Sequence, residues 1–402
     1  MTEHNKTRMS RTIALALATG FTAAGRADAQ QKAYDTRHYV IFSDLDDAAT
    51  KDYARRLDAM YDEYAKRLAD FSIDSSQKFR VHLFKKQSDY KRFTGSRLPN
   101  SAGIFIPSLQ ALAGYEESQG RLALRQTLQH EAFHQFAWQA ISQSLPIWLD
   151  EGLAQVFEEG VWTGDQFLLG QVPPARIKLL QQDMAAGRML PVKTLLTMSR
   201  GTFQARMADE NVGRSQYNQA WAMTQFLVFA VDENNRPRYR TRLIGWLRDL
   251  HAGRDAQQAF VSNFSGNLDG FEKRFREWVT TLTPTPLAVY SDRVSKLAEL
   301  LRLFKQDGRE FESVDVLRRH LQQGQYHLTE QRDGQTYTLD EDALTYLSGI
   351  DGRPWSSQSL YFERRKGPLP DIVLRPPSGS TIRARFFVTG QRIDHDLVFE
   401  KR

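Results

Sequence analysis

The sequence contains no cysteine, and this absence excludes several kinds of chemistry at once. Because none of the 402 residues carries a thiol, disulfide scaffolds, thiolate nucleophiles, iron–sulfur clusters and zinc sites with sulfur ligands are all impossible. Any metal ion must be held by histidine, aspartate or glutamate. The rest of the composition, 41% hydrophobic and 25% charged, is that of an ordinary globular chain with enough apolar material for two or three domains.

The chain also lacks a strong excess of charge and a long apolar run. Lys and Arg number 54 against 48 Asp and Glu, a net charge of +6, and the two signs are interleaved. We interpret this pattern as a solvated, mildly basic surface and expect no nucleic-acid partner, because no basic stripe with aromatic platforms is present. No stable membrane insertion is expected, since no segment is long and apolar enough. The sequence carries no signal for an oligomeric state.

The N-terminus has the order of a secretory signal peptide. Three basic residues precede an apolar run from Thr12 to about Gly25, and Ala27-Asp28-Ala29 follows with small residues where a signal peptidase cleaves. We expect residues 1–29 to be removed near Ala29 and the protein to act in the periplasm or outside the cell. The alternatives are a short uncleaved anchor and a disordered tail.

The remaining chain predicts an α+β fold in two parts. Residues 36–120 are β-rich with one amphipathic helix, and residues 121–283 are helical, so that 30–283 form one domain. Thr283-Pro284-Thr285-Pro286 cannot continue a helix and marks a boundary. Residues 287–402 predict a smaller α+β domain of unknown role, with two helices and several short strands.

A metal-binding motif lies in the first predicted helix of the helical part. His130-Glu131-Ala132-Phe133-His134 is HExxH, in which two histidines four residues apart lie on one helix face and can bind the same zinc ion. Glu131, between them, can stand beside an activated water without ligating the metal. The motif alone also occurs by chance, and coincidence or a decayed site is the alternative interpretation.

A second helix provides the predicted third ligand. Glu151 follows His134 by 17 positions (151 − 134), in the segment Leu145 to Ala154 that opens this helix. A short turn at Ser142–Ser144 brings the helix back antiparallel, with Glu151 opposite the two histidines. Two histidines and one glutamate leave the fourth zinc position open, which is the arrangement of a catalytic rather than a structural site.

HExxH followed by Trp-Leu-Asp-Glu-Gly-Leu-Ala at 148–154 resembles the gluzincin zinc metallopeptidases. The third ligand of that group is the Glu of a Glu-Gly pair at the start of the next helix. The resemblance covers roughly residues 36–283 and is nearest to short secreted bacterial gluzincin-like domains. It implies a zincin-like domain, a zinc cofactor and a peptide or protein substrate. Because the motif that binds an N-terminal amine is not evident upstream, an endopeptidase is expected.

The resemblance also implies roles for individual residues. Glu131 is expected to take a proton from the water that attacks the peptide bond and to pass it to the leaving amine. Tyr217, which opens a predicted helix in a Tyr-x-x-Ala-Trp pattern, is the expected donor to the oxyanion. Its alternative is a tyrosine whose ring packs in the core.

Two further elements are expected near the metal. Glu158 follows Glu151 by seven residues on the same helix face, so that it can accept the free N–H of a ligating histidine, or else be solvated. Residues 111–115 are expected to form the edge strand that pairs with an extended substrate, or else an ordinary hairpin strand.

We therefore expect a secreted zinc-dependent peptidase. The alternative function is a catalytically silent gluzincin scaffold that binds extended peptides or cell-envelope material.

Overall fold

The structure, a computed structural model, describes residues 31–71, 73, 77–95, 101–117, 120–143, 145–324, 326–332, 335–339, 343–389 and 392–401. The predicted signal peptide, residues 1–29, lies outside the described residues. The described chain is a mixed α+β protein, which confirms the predicted class. It forms two compact units, and each is described by itself.

The first unit comprises the described residues up to 160 together with 175–283. Its sheet has five strands in the order β1-β2-β3-β5-β4, and β2, β3 and β5 run parallel while β1 and β4 pair antiparallel at the edges. The strands are β1 Lys32–Asp35, β2 Tyr39–Ser43, β3 Phe79–Phe84, β4 Gly103–Ile106 and β5 Ala111–Tyr115.

One face of this sheet is covered by the predicted amphipathic helix. Helix α1, Asp47–Arg67, connects the parallel strands β2 and β3. Tyr53, Leu57, Met60 and Tyr64 are buried at steps of three and four residues, as a helix that buries one face requires. A short helix α2, Gln87–Thr94, follows β3.

The expectation that residues 111–115 form the edge strand is wrong. β5 pairs with β3 on one side and with β4 on the other, and β4 is the outer strand. The alternative, an ordinary hairpin strand, describes β5, because it pairs antiparallel with β4. Which of the two strands is internal depends on the position of β3, which sequence periodicity does not indicate.

The second half of this unit is predominantly helical, as predicted, whereas residues 161–168, predicted to belong to the helical part, form two short strands instead. The sequence periodicity predicts seven helices here, over about 122–141, 145–158, 174–186, 215–231, 239–250, 255–264 and 268–282, and the structure has a helix within about five residues of each. Two short helices, 192–197 and 200–205, are not predicted. The helices are α3 Arg121–Ala140, α4 Ile147–Glu158, α5 Pro174–Ala185, α6 Val192–Thr197, α7 Arg200–Ala205, α8 Glu210–Phe229, α9 Arg240–His251, α10 Ala256–Asn263 and α11 Leu268–Thr281.

The second unit comprises residues 161–174 and the described residues from 284 onward. Pro286 is the first residue of α12, where its missing N–H removes no helical hydrogen bond. The helices α12 and α13 pack on a four-stranded antiparallel sheet around one apolar core. The elements are α12 Pro286–Gln306, α13 Val314–Gln322, β8 Thr329–Arg332, β9 Gln335–Thr338, β10 Leu360–Glu363, β11 Asp371–Leu374, β12 Thr381–Thr389 and β13 Arg392–Glu400.

The segment 161–174 groups with this second unit and not with the predicted domain 30–283. It contains a small hairpin of β6, Val161–Trp162, and β7, Phe167–Leu168. Val161 packs against the apolar core of the second unit. The Val172 carbonyl accepts the Thr285 N–H at 3.2 Å. These contacts join residues more than a hundred positions apart, so local sequence patterns do not reveal them.

None of the helices in the described residues combines the length and hydropathy needed to cross a membrane.

Candidate metal site

Helix α3 places the three fixed residues of the HExxH motif in the interior of the first unit. His130, Glu131 and His134 are 2%, 3% and 4% exposed. The two imidazole centroids are 4.8 Å apart, as expected for residues four apart on a helix. Both rings therefore face the same small volume.

Helix α4 brings the third predicted ligand to the same volume. Glu151 Oε2 lies 3.3 Å from His130 Nε2 and 3.7 Å from His134 Nε2. One ligand atom from each of these three buried residues lies within 4.8 Å of the others. The structure thus brings together the three residues predicted as ligands, and this group could bind a metal ion.

The outer nitrogens of both histidines face carboxylates. His130 Nδ1 is 3.0 Å from Glu158 Oε2, and His134 Nδ1 is 2.9 Å from Asp150 Oδ1. Because an ionised carboxylate only accepts hydrogen bonds, each Nδ1 carries a proton, and in the neutral imidazole each Nε2 then keeps its lone pair. This is the tautomer in which a histidine ligates a metal through Nε2. Glu158 lies where the helical spacing predicted.

The three converging ligand atoms fit a cation. In this tautomer the Nε2 atoms of His130 and His134 are acceptors, and so is the Glu151 carboxylate. Glu151 Oε2 is buried and has no hydrogen-bond partner within the described part of the chain. Buried acceptors that face one another without a donor are costly. A metal ion bound between them would compensate all three.

The surrounding charge is also strongly negative. Four buried carboxylates, those of Glu131, Asp150, Glu151 and Glu158, surround the two imidazoles. Burial by itself would lower the pKa of His130, but the carboxylates of Glu151 and Glu158 outweigh burial and raise that pKa to about 9. Burial opposes ionisation of Glu151, yet the two imidazoles keep its pKa well below the usual range. In the metal-free protein, the carboxylates therefore favour the protonated, positively charged form of the two imidazoles.

This competition between proton and metal predicts a pH dependence. In the metal-free protein, the stability that comes from protonated His130 is fully present below its ordinary pKa of 6.5 and is lost as the pH rises through about 9. Metal binding displaces this proton, so the stabilisation by metal grows over the same pH range. We expect the difference in Tm between metal-loaded and chelated protein to widen from pH 6.5 to pH 9. A difference that stays constant or narrows would contradict the proton competition.

Two residues that fix the orientation of His134 were not predicted from the sequence. Asp150 orients His134, and Arg200 Nη2, at the start of α7, donates to Asp150 Oδ2 at 3.2 Å. The role of Asp150 could have been inferred from its position directly before Glu151, because both residues lie near the start of α4. For Arg200 there was none, since α7 itself was not predicted.

Removal of either outer carboxylate is expected to weaken metal binding. Asp150→Asn and Glu158→Gln take away the charged acceptor that orients one imidazole each, and such changes cost about 10–100-fold in metal affinity. Glu159→Gln is the matched control, because Glu159 follows Glu158 directly but bonds to Arg176 at 2.6 Å. Competition with a chromophoric chelator measures the affinities. Affinities equal to wild type in both test variants would exclude these carboxylates as orienting groups.

Glu131 lies beside the three predicted ligands and does not belong to that group. Its Oε2 accepts the N–H of Phe105, in the edge strand β4, at 2.8 Å. Burial raises the pKa of Glu131, and the neighbouring imidazoles partly oppose this rise. The carboxyl is therefore held by the edge strand while its proton affinity is raised.

Tyr217 lies close to the same carboxylates. Helix α8 begins at Glu210, capped by the Asp209 side chain, so Tyr217 lies in the middle of the helix and does not open it as predicted. The residue is 4% exposed. Burial first, then the charge of the Glu151 carboxylate, raises the pKa of Tyr217 well above its ordinary value. The phenol therefore stays protonated and can donate a hydrogen bond.

Helix α4, which carries Glu151, packs very closely against α8, which carries Tyr217, at Gly152. A Cβ atom on Gly152 would lie 2.2 Å from Thr224 Oγ1 and 2.5 Å from the Ala220 carbonyl oxygen, both on α8. Only glycine allows this distance between helices. The Glu-Gly pair is thus needed for the packing of α4 on α8 as well as for the ligand.

Comparison with known proteins finds one matching family model, and no activity is assigned to that family. A family model described as a protein of unknown function, DUF1570, matches residues 125–236. The matched segment contains the three ligand residues, Glu131 and Tyr217. No curated protein matches the chain.

Proposed function

We propose that this protein is a zinc-dependent peptidase of the gluzincin type that hydrolyses peptide bonds. One observation carries the proposal: His130, His134 and Glu151 converge in a buried group, and Glu131 stands beside them outside the ligand set. A purely structural metal site needs no such additional carboxyl group.

The donor set favours zinc among the common metals. Two imidazole nitrogens and one carboxylate oxygen are ligands that zinc binds in tetrahedral sites, and three protein ligands leave the fourth position for water or substrate. Calcium and magnesium prefer all-oxygen ligand sets. Bound zinc would supply Lewis acidity, which polarises a peptide carbonyl and lowers the pKa of water toward about 7.

The chain's own residues account for the proton transfers. Glu131, held by the Phe105 N–H at 2.8 Å, takes a proton from the attacking water and delivers it to the leaving amine nitrogen. Its raised pKa suits both steps, because the group must accept a proton and then release it near neutral pH. The Tyr217 hydroxyl donates a hydrogen bond to the oxygen that becomes negatively charged.

The fold and the location belong to the same proposal. A sheet whose edge strand β4 contacts the HExxH helix, followed by a helical half that carries Glu151, supports a gluzincin-like domain in the first unit. We propose an extracytoplasmic location after signal cleavage near Ala29, a peptide or protein substrate, and no nucleic-acid or stably inserted membrane partner.

Metal analysis combined with a cleavage assay tests the proposal. The purified chain is expected to hold about one zinc ion and to cut a broad peptide library, to lose cleavage on chelation and to regain it when zinc is returned. A chain that binds zinc but cuts nothing would instead support the silent peptide-binding scaffold. A chain that binds no divalent metal would overturn both.

The Tyr217→Phe variant is expected to slow hydrolysis about 10²–10³-fold, because it removes one donor to the developing oxyanion. The ring and its packing against Phe203 at 5.1 Å remain. Zinc content, Tm and KM are therefore expected to stay close to wild type. A variant with unchanged kcat would show that Tyr217 only packs in the core.

A further inference from the structure

Trp138 lies on the same side of helix α3 as Glu131 and His134 of the candidate metal site. Glu131, His134 and Trp138 are spaced i, i+3 and i+7, so their side chains leave the helix on the same side. At about 1.5 Å per residue, Trp138 lies about 6 Å from His134 along the helix axis. Residues 127–137 are all buried, whereas Trp138 is only half-buried. This face of α3 therefore extends from the buried candidate metal site to the partly exposed indole of Trp138.

The edge strand β4 also connects Glu131 with Trp138, through Phe105. The Phe105 N–H bonds to Glu131 Oε2 at 2.8 Å, and the Phe105 ring packs edge-on against the Trp138 indole with centroids 6.3 Å apart. A single residue of β4 thus contacts both the general base and the indole. The indole is consequently fixed in its position relative to Glu131 by a strand as well as by its own helix.

The distances bring the indole within reach of a substrate. The peptide bond to be cut must lie beside the Glu131 carboxyl, because that group exchanges protons with the reacting atoms. An extended peptide advances about 3.3 Å per residue, so the side chain next to that bond, or one beyond it, reaches Trp138. A partly exposed indole gains by covering its apolar face, and tryptophan often dominates binding energy for this reason.

We propose that Trp138 is a specificity-determining residue that binds a bulky apolar side chain flanking the cleaved bond. This inference rests on the proposed peptidase function and names its substrate class: peptides with an aromatic or branched aliphatic residue at that position. The indole holds the substrate and takes no part in proton transfer.

Peptide kinetics with a matched pair of substrates test the inference. Two end-blocked peptides of otherwise identical sequence differ only in phenylalanine or alanine at the position next to one chosen peptide bond. With Trp138→Ala, kcat/KM for the phenylalanine peptide is expected to fall about tenfold or more, and that for the alanine peptide by no more than about twofold. Trp138→Phe is expected to retain most of the preference. Equal losses on both peptides, or an unchanged preference, would overturn the inference.

Trp278→Ala is the matched control for the loss of a half-buried indole. Trp278 lies on α11 in the same unit and packs on Phe226 with centroids 5.4 Å apart. Its removal is expected to leave the ratio between the two peptides unchanged. Zinc content is measured for every variant, and a loss of preference in Trp278→Ala as large as in Trp138→Ala would count against a local role of Trp138.

A binding measurement separates this inference from the peptidase function itself. Calorimetry with the zinc-loaded Glu131→Gln protein compares the two peptides without turnover, with and without Trp138→Ala. We expect the phenylalanine peptide to bind about tenfold more tightly, and Trp138→Ala to remove that difference. If the wild type cuts no peptide but this selectivity is present, the peptidase proposal fails and the role of Trp138 stands. If the wild type cuts peptides without any selectivity that depends on Trp138, the peptidase proposal stands and the role of Trp138 fails.

Discussion

The Glu131→Gln variant is expected to bind zinc like the wild type and to lose almost all peptide hydrolysis. Glutamine has the same shape and can still accept the Phe105 N–H, so the packing around the site is retained. It cannot take a proton from water, and the loss of a positioned general base lowers kcat about 10²–10⁴-fold. Metal analysis and kcat on one peptide measure the two effects separately.

Glu277→Gln is the matched control for this experiment. Glu277 lies on α11 with its side chain 63% exposed, and neutralising it is expected to change neither zinc content nor kcat. If Glu131→Gln turned over at the wild-type rate, Glu131 would not be the base. If it lost its zinc, Glu131 would be needed to hold the metal, and the separation between ligands and base would be wrong.

The Gly152→Ala variant is expected to lose both stability and metal affinity. The added Cβ would lie 2.5 Å from the Ala220 carbonyl oxygen, and backbone cannot rotate away as a side chain can. Helix α4 must shift from α8, and such overpacking costs about 1–3 kcal/mol of the free energy of unfolding. At about 2–4 °C per kcal/mol for a domain of this size, Tm falls by several degrees. Because α4 also carries Glu151, zinc affinity falls with it.

Gly201→Ala controls for the general effect of alanine in place of a helical glycine. Gly201 lies in α7, and a Cβ there would meet nothing within 4 Å. Alanine is expected to leave stability unchanged or to raise it by up to about 1 kcal/mol. A Gly152→Ala protein as stable as the wild type, with the same zinc affinity, would show that α4 and α8 tolerate a larger separation. Calorimetric unfolding and chelator competition decide this.

The ligand residues could be predicted because the relevant spacing is local. Residues four apart on a helix share one face, as His130 and His134 do. The same argument placed Glu158 on the face of Glu151, two turns later. The antiparallel return of α4 onto α3 followed from the short connection between the two predicted helices. Helix periodicity therefore predicted both the elements and the sides of those elements that meet.

The contacts that orient the site could not be predicted in the same way. Arg200 reaches Asp150 from a six-residue helix that the sequence pattern does not reveal. The choice of β4 rather than β5 as the edge strand depends on the pairing of β5 with β3. Both contacts join segments far apart in the chain, and neither leaves a periodic signal in the sequence.

The sequence by itself determined the kinds of chemistry open to this protein. It has no thiol, and the spacing of His130 and His134 places both side chains on one helix face, where they could bind a metal ion. Only the tertiary structure decided how that face is completed: which carboxylate orients each imidazole, which strand amide holds Glu131, and why a glycine must follow Glu151. The physical reason is that periodicity specifies which side of an element is buried, whereas close packing between distant elements specifies what that side touches.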